Sequence, residues 1–319
     1  MNGTAKTSKA TWFRVALGVC GLVALVAIVR HVGTDLILAT LRPALQWLPV
    51  LCALELVRVV CETVASALAY GSLASRIPRA TLFRVHLIAQ SLGSIAPAPR
   101  VVNETIKIGL LAPFVGAAAA TSVGFINQSA TLIAVGLFSI PCGTAILVLG
   151  GAHAQVWFWV SIVHAVLVVS TGLALQAVTR ADGPGRWIAK KIPRLAHRAA
   201  AFREHVSESG LWAGGPTSAF LVSRCVQVVQ FGVAAHAVGI DAGVLRAMAA
   251  EGVNLLAAAV GVFVPLGLGT TDGAFTFAAD VLGTTVARAT SLALLMRCMQ
   301  LTWVLVGSIV AVFGPRARS

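Results

Sequence analysis

Charged residues are scarce: they make up 11% of a 319-residue chain, against about 25% in an ordinary soluble domain. Together with a hydrophobic share of 58%, this excludes a water-soluble globule and predicts a polytopic membrane protein. Close cysteine pairs are missing too. Cys20, Cys52, Cys61, Cys142, Cys225 and Cys298 lie in or beside apolar segments without metal-ligand or redox spacing. That argues against a zinc site and a disulfide framework, and for packing as small hydrophobes. The acids are scattered singly with no D-x-D pattern, so neither a metal nor another cofactor is expected. The first apolar run, Val15 to Val29, follows Lys6, Lys9 and Arg14 but has no small-residue cleavage site before "RHVGTD". It reads as an uncleaved span.

What is present is apolar sequence at membrane length. A spanning helix needs about 20 apolar residues, and segments near 12–29, 48–73, 117–140, 155–178, 213–238 and 289–313 qualify. The net charge of +13 sits in a few short segments, so it marks topology and anionic lipid headgroups rather than nucleic acid. Lys6 to Arg14, Arg76 to Arg84, the seven Lys/Arg from Arg180 to Arg203, and Arg316 with Arg318 should face the cytoplasm. The segment from Pro141 to Val156 has no Lys or Arg and should face outward. Arg30 and Arg42 in the first outer loop are a mild exception. Residues 180–209 read as a basic amphipathic linker on the inner leaflet. The expectation is one integral membrane domain over 1–319 in the cytoplasmic (inner) membrane, with both termini cytoplasmic.

Two segments break the pattern. Apolar stretches at about 80–96 and 245–263 each run into a Pro/Gly-containing stretch followed by a short helix of about ten residues. The orientation rule requires 84–113 to enter and leave on the inner side and 246–288 on the outer side. Each is then a re-entrant hairpin, and the two enter from opposite faces. In "SIAPAPRVVNETIKIGLL" and "VFVPLGLGTTDGAFTFAADVL" an acid, Glu104 or Asp272, falls seven residues after a proline, Pro97 or Pro265. This weak repeat fits an inverted-topology transporter. The fold class expected is all-α, with about six to eight transmembrane helices and two opposed re-entrant hairpins.

Broken backbone at membrane depth is tolerated only where protein buries it or water reaches it. Into such a cavity the sequence can send Arg58, Arg100, Lys107, Arg224 and Arg297, and the acids Glu55, Glu62, Glu104, Glu251, Asp272 and Asp280. Ionised groups there should pair or be functional. Glu55, Arg58 and Glu62 share a helical stripe, and Glu104 lies three residues before Lys107, so both cations have local partners. For Glu55 and Glu62 two readings stand, setting helix register and binding. Asp272, Thr276 and Asp280 form a polar face against Phe275 and Phe277, and their cation, Arg224 or Arg297, must come from elsewhere in the bundle. His86, His164 and His236 read as packing residues, with a relay along His86, Gln90 and Ser94 as the alternative. Asn127 and Gln128 read as helix-to-helix hydrogen bonds. A helix starting near the midplane favours an anion such as phosphate. Arg100 and Lys107 add full charges, and Gly267, Gly269 and Gly273 permit a tight backbone.

At these motifs the chain resembles the lysylphosphatidylglycerol synthase transmembrane-region family of flippase-like membrane proteins. Its first motif, P-x-R-x-G-E-x-x-R, looks like "PRVVNETIK": Pro99 and Glu104 match, Lys107 stands for the final Arg, Arg100 is displaced by one and Asn103 replaces the glycine. Its second, P-G-G-L-G-x-x-E-A, looks like "PLGLGTTDGA". There Pro265, Gly267, Leu268 and Gly269 match, Leu266 replaces a glycine, Asp272 the glutamate and Gly273 the alanine. Arg297 matches a last-span arginine. The resemblance implies movement of lipids or lipid-linked headgroups between leaflets. Arg100, Lys107, Arg224 and Arg297 would hold a headgroup phosphate, with Glu104, Asp272 and Asp280 pairing with them or receiving a cation or proton. The soluble synthase domain of bifunctional members, and hence their aminoacyl transfer, is not expected. The alternatives are a membrane-embedded transferase acting on a polyprenyl-phosphate or phospholipid, and a non-catalytic partner of a lipid-modifying enzyme.

Overall fold

The computed structural model describes residues 9–96, 98–151, 153–180 and 214–313, and these are helical with no strand. Pro97 and most of the basic linker, 181–209, lie outside the described residues. The helices are α1 (Lys9–Val32), α2 (Thr34–Ala44), α3 (Leu48–Tyr70), α4 (Arg79–Ile95), α5 (Pro99–Val115) and α6 (Ala117–Leu149). They continue as α7 (Ala154–Arg180), α8 (Gly214–Ala237), α9 (Val244–Val260), α10 (Thr270–Phe277) and α11 (Val286–Phe313).

Among the described residues, α6, α7, α8 and α11 are long and apolar enough to cross a membrane, and a broken pair from Leu22 to Arg76 raises the number to five. That pair bends by 98° at Gly33, whose φ of 101° suits glycine alone. The first outer loop expected from the sequence is therefore mostly helix, α2, leading directly into α3. The third predicted span also extends, because α6 continues through Pro141 and stops only at Gly150, where φ is 78°.

Residue size is sorted inside out relative to a soluble protein. Val19, Val23, Trp159, Leu167, Leu305 and Phe313 are exposed, whereas Ala44, Ala65, Ala130, Ala234 and Ala289 are fully buried. Lipid-facing aliphatics around a small-residue interior are what membrane bundles need, since close backbone approach replaces the hydrophobic drive between helices. The α4–α11 contact shows it. A Cβ at Gly307 would lie 2.1 Å from Ser91 Oγ and 2.6 Å from the Leu87 carbonyl, and Ser91 donates to the carbonyls of Trp303 and Val304, both at 3.0 Å.

Helix pairing is reciprocal between the two halves: α3 packs on α8, α4 on α11, and α9 on α6. Within each half, α4 packs on α5 and α5 on α6, just as α9 packs on α10 and α10 on α11. The breaks correspond too. Among the described residues, Ala98 (φ 54°) and Leu266 (φ 55°) are the non-glycine residues with positive φ, one in each break. The breaks also meet, because the Ala98 amide donates to the Val262 carbonyl at 2.9 Å.

Candidate functional site

The first break positions its residues by simple chain chemistry. Pro99 opens α5 at a position where proline costs no hydrogen bond, which places Arg100 in the first turn beside the tip. Asn103, with its amide oriented to donate, reaches the carbonyls of Ala89 (2.5 Å) and Pro99 (3.2 Å) and ties α5 back onto α4. The helix is longer than the ten residues expected: it has 17 and runs to Gly116. Pro113 does not stop it: it sits in the last turn, where its missing amide costs a single donor, the one to the Gly109 carbonyl. Glu104 is thus one turn inside α5, where it pairs with Lys107.

These side chains line a partly open cavity of about 160 Å³ between α3, α4, α5, α6 and α8. Arg58 and Arg224 reach it from α3 and α8, alongside Arg100 and Lys107; Glu62 and Glu104 are the acids on its wall. Arg58 is held twice, by Glu55 at 2.5 Å and by Glu62. Glu55 is buried and also accepts from Gln90 at 2.7 Å and Gln230 at 3.0 Å. Arg224 donates to Gln227 at 2.6 Å and sits 3.4 Å from the buried Glu251. Asn254 steadies that carboxylate from one helical turn away, at 3.1 Å. Arg100 is different. Among the described residues its guanidinium has neither an acceptor within hydrogen-bond distance nor an ion pair, although it is only partly exposed and lines the cavity.

The second break is built the opposite way. Arg297 of α11 donates to both oxygens of Asp272, at 2.6 and 3.3 Å, and to the carbonyls of Leu266 (3.1 Å) and Gly267 (3.4 Å). Asp272 Oδ2 also accepts the Gly269 amide at 3.0 Å, closing the start of α10. Asp272 is fully buried and Arg297 nearly so. Gly267 (φ 62°) and Gly269 (φ 75°) supply the tight backbone, while a Cβ placed on Gly273 would meet Ile28 of α1 at 3.7 Å.

The structure therefore brings Arg100, Asn103, Glu104, Lys107 and Arg224 together, and places Asp272 and Arg297 in a separate, sealed cluster behind Pro265. Asp280 belongs to neither. α10 ends at Phe277, so Asp280 is exposed in the turn that follows rather than on a helical face with Asp272. The polar face shortens to Asp272 and Thr276, and Thr276 bonds Thr290 of α11 at 2.9 Å. Of the two acids left open between helix register and binding, Glu62 lines the cavity itself with Arg58, and Glu55 is buried outside its lining. Their signal was already there: three charges on one stripe of an otherwise apolar helix. Of the histidines, His86 contacts Ser66 at 2.9 Å and His164 contacts Ser139 at 3.1 Å. Asn127 donates to Ser66 across the α3–α6 interface at 2.8 Å.

An all-helical bundle with lipid-facing aliphatics and paired charges inside defines an integral membrane protein. The chain matches the family described as the lysylphosphatidylglycerol synthase TM region over residues 11–307, and it belongs to that family. No curated protein and no solved structure gives a significant match.

Proposed function

We propose that this protein moves a phospholipid or lipid-linked headgroup between the leaflets of the cytoplasmic membrane. The observation that carries the reading is Arg100: a cation without an acceptor among the described residues, facing a polar cavity among membrane helices. An ionised group at membrane depth costs about 2.5–3.5 kcal/mol on insertion scales, so an unpartnered one is kept for a ligand. Arg100 would hold the headgroup phosphate, with Lys107 and Arg224 beside it, while the acyl chains stay in lipid. The ion pairs of Glu104 and Glu62 can be exchanged for contacts with the headgroup, so loading leaves no further charge bare. In this reading the Arg297–Asp272 cluster holds the second tip in shape.

The same reading takes α4–α5 and α9–α10 as re-entrant hairpins entering from opposite faces. The reciprocal helix pairing, the positive-φ residue in each break and the Ala98–Val262 hydrogen bond support it. With α1 and the charged α3 crossing as well, the spans number six or more. The basic clusters put the termini and residues 181–209 in the cytoplasm and the α6–α7 turn outside.

Purified protein reconstituted in liposomes tests this against an enzyme or a partner subunit. Headgroup translocation without a new product supports the transporter, and R100Q should slow it about tenfold or more. A new lipid product would identify a transferase. Neither movement nor product would leave a partner role.

A further inference from the structure

The charges around the cavity decide which headgroup fits, given the lipid-transport reading above. Among the described residues four cations, Arg58, Arg100, Lys107 and Arg224, face four carboxylates, Glu55, Glu62, Glu104 and Glu251, so the empty cluster is neutral overall. The neutrality is unevenly distributed. Lys107 has Glu104 and Arg224 has Glu251, but Arg58 carries two carboxylates while Arg100 carries none. Glu55 is the committed partner of Arg58: it is buried and accepts from two Arg58 nitrogens, Gln90 and Gln230. Glu62 is the surplus acid. Its side chain is 21% exposed, against 5% for Glu55, and it lies on the cavity wall with Arg100.

A bare guanidinium and a surplus carboxylate on one small cavity are the complement of a zwitterion. We propose that this site recognises a headgroup with one phosphodiester and one ammonium, of the ethanolamine type: phosphate on Arg100 and ammonium on Glu62. The planar guanidinium suits a phosphate bidentately. The ammonium takes over from Arg58 at Glu62, and Arg58 keeps Glu55, so no charge is left without a partner. A purely anionic lipid would leave Glu62 as it is and add one negative charge to a neutral cluster. A lysylated headgroup brings a second ammonium, and the remaining carboxylates are already held by Arg58, Lys107 and Arg224. Like charges brought together at close range suppress the wrong partner, so charge selects more sharply than size.

The test is lipid binding by the purified full-length protein in neutral detergent, followed by native mass spectrometry with phosphatidylethanolamine, phosphatidylglycerol and lysyl-phosphatidylglycerol. The expected ranking puts phosphatidylethanolamine about tenfold or more ahead of both others. E62Q makes the cluster net positive and should reverse the order in favour of phosphatidylglycerol, while R100Q should weaken all three. The proposal is overturned if the wild-type protein binds phosphatidylglycerol or lysyl-phosphatidylglycerol as tightly as phosphatidylethanolamine. The wild-type ranking decides even if the variants do not fold. It is equally overturned if a folded E62Q keeps the wild-type order. Water-soluble glycerophosphoethanolamine competing as strongly as the lipid would uphold the zwitterion and overturn the lipid reading. The expected ranking without translocation in liposomes would do the same.

Discussion

At the scale of single residues, the second break stores strain that a known exception could relieve. Leu266 adopts φ 55°, ψ 8°, a region costly for a bulky residue and free for glycine. It is held there by the donor from Arg297 to its own carbonyl. Leu266→Gly should therefore stabilise the protein, by about 1 kcal/mol, seen as a higher midpoint of thermal unfolding in detergent. The opposite is expected of the charges beneath it. Arg297→Met leaves Asp272 buried and unpaired, at a cost of about 3–5 kcal/mol, whereas Arg297→Met with Asp272→Leu should recover much of the loss. Folded yield by size-exclusion chromatography would read both. Should the double variant be no better than the single, the pair is not the main support of that tip.

At the scale of elements, two glycines, one on α11 and one on α5, should answer the same substitution with opposite signs. Gly307→Ala drives a methyl into Ser91 and the Leu87 carbonyl, separating α11 from α4, and overpacking of this kind costs about 1–3 kcal/mol. Gly109 on α5 has open space around it, and alanine there should add about 0.5–1 kcal/mol of helix stability. Thermal unfolding of the two variants side by side gives the comparison. The elements themselves were largely legible in the sequence. Hydrophobic length located α6, α7, α8 and α11, and the prolines marked the breaks between α4 and α5 and between α9 and α10. Spacing alone foretold the Glu55–Arg58–Glu62 and Glu104–Lys107 pairs. Length and termination were harder. The ends of α5 and α6 depend on Gly116 and Gly150 taking positive φ, and a glycine's conformation is fixed by its tertiary surroundings, not by its neighbours in the chain. Asp280 was misplaced for the same reason: α10 has eight residues, too few to carry a third polar turn. That Asp272 and Arg297 stand apart from Arg100 could not be read at all, since it depends on how α11 crosses the bundle.

At the scale of the whole molecule, the two halves resemble each other in pairing but differ in state. The charges at the first tip open onto a cavity, and those at the second are closed over by α11. Replacing Ala98 and Val262 by cysteine should give a pair that oxidises readily, since their backbones are hydrogen-bonded across the break. The cross-linked protein should still bind headgroups yet no longer translocate them in liposomes, with activity restored by a reducing agent. Unimpaired translocation by the oxidised form would show that the tips need not separate.

That bond between the tips also has a mechanical meaning. Two segments distant in the chain are joined amide to carbonyl with no side chain interposed, so they part only if that amide and that carbonyl each find another partner. Any parting of the two breaks is therefore resisted at the backbone itself, whatever side chains line them.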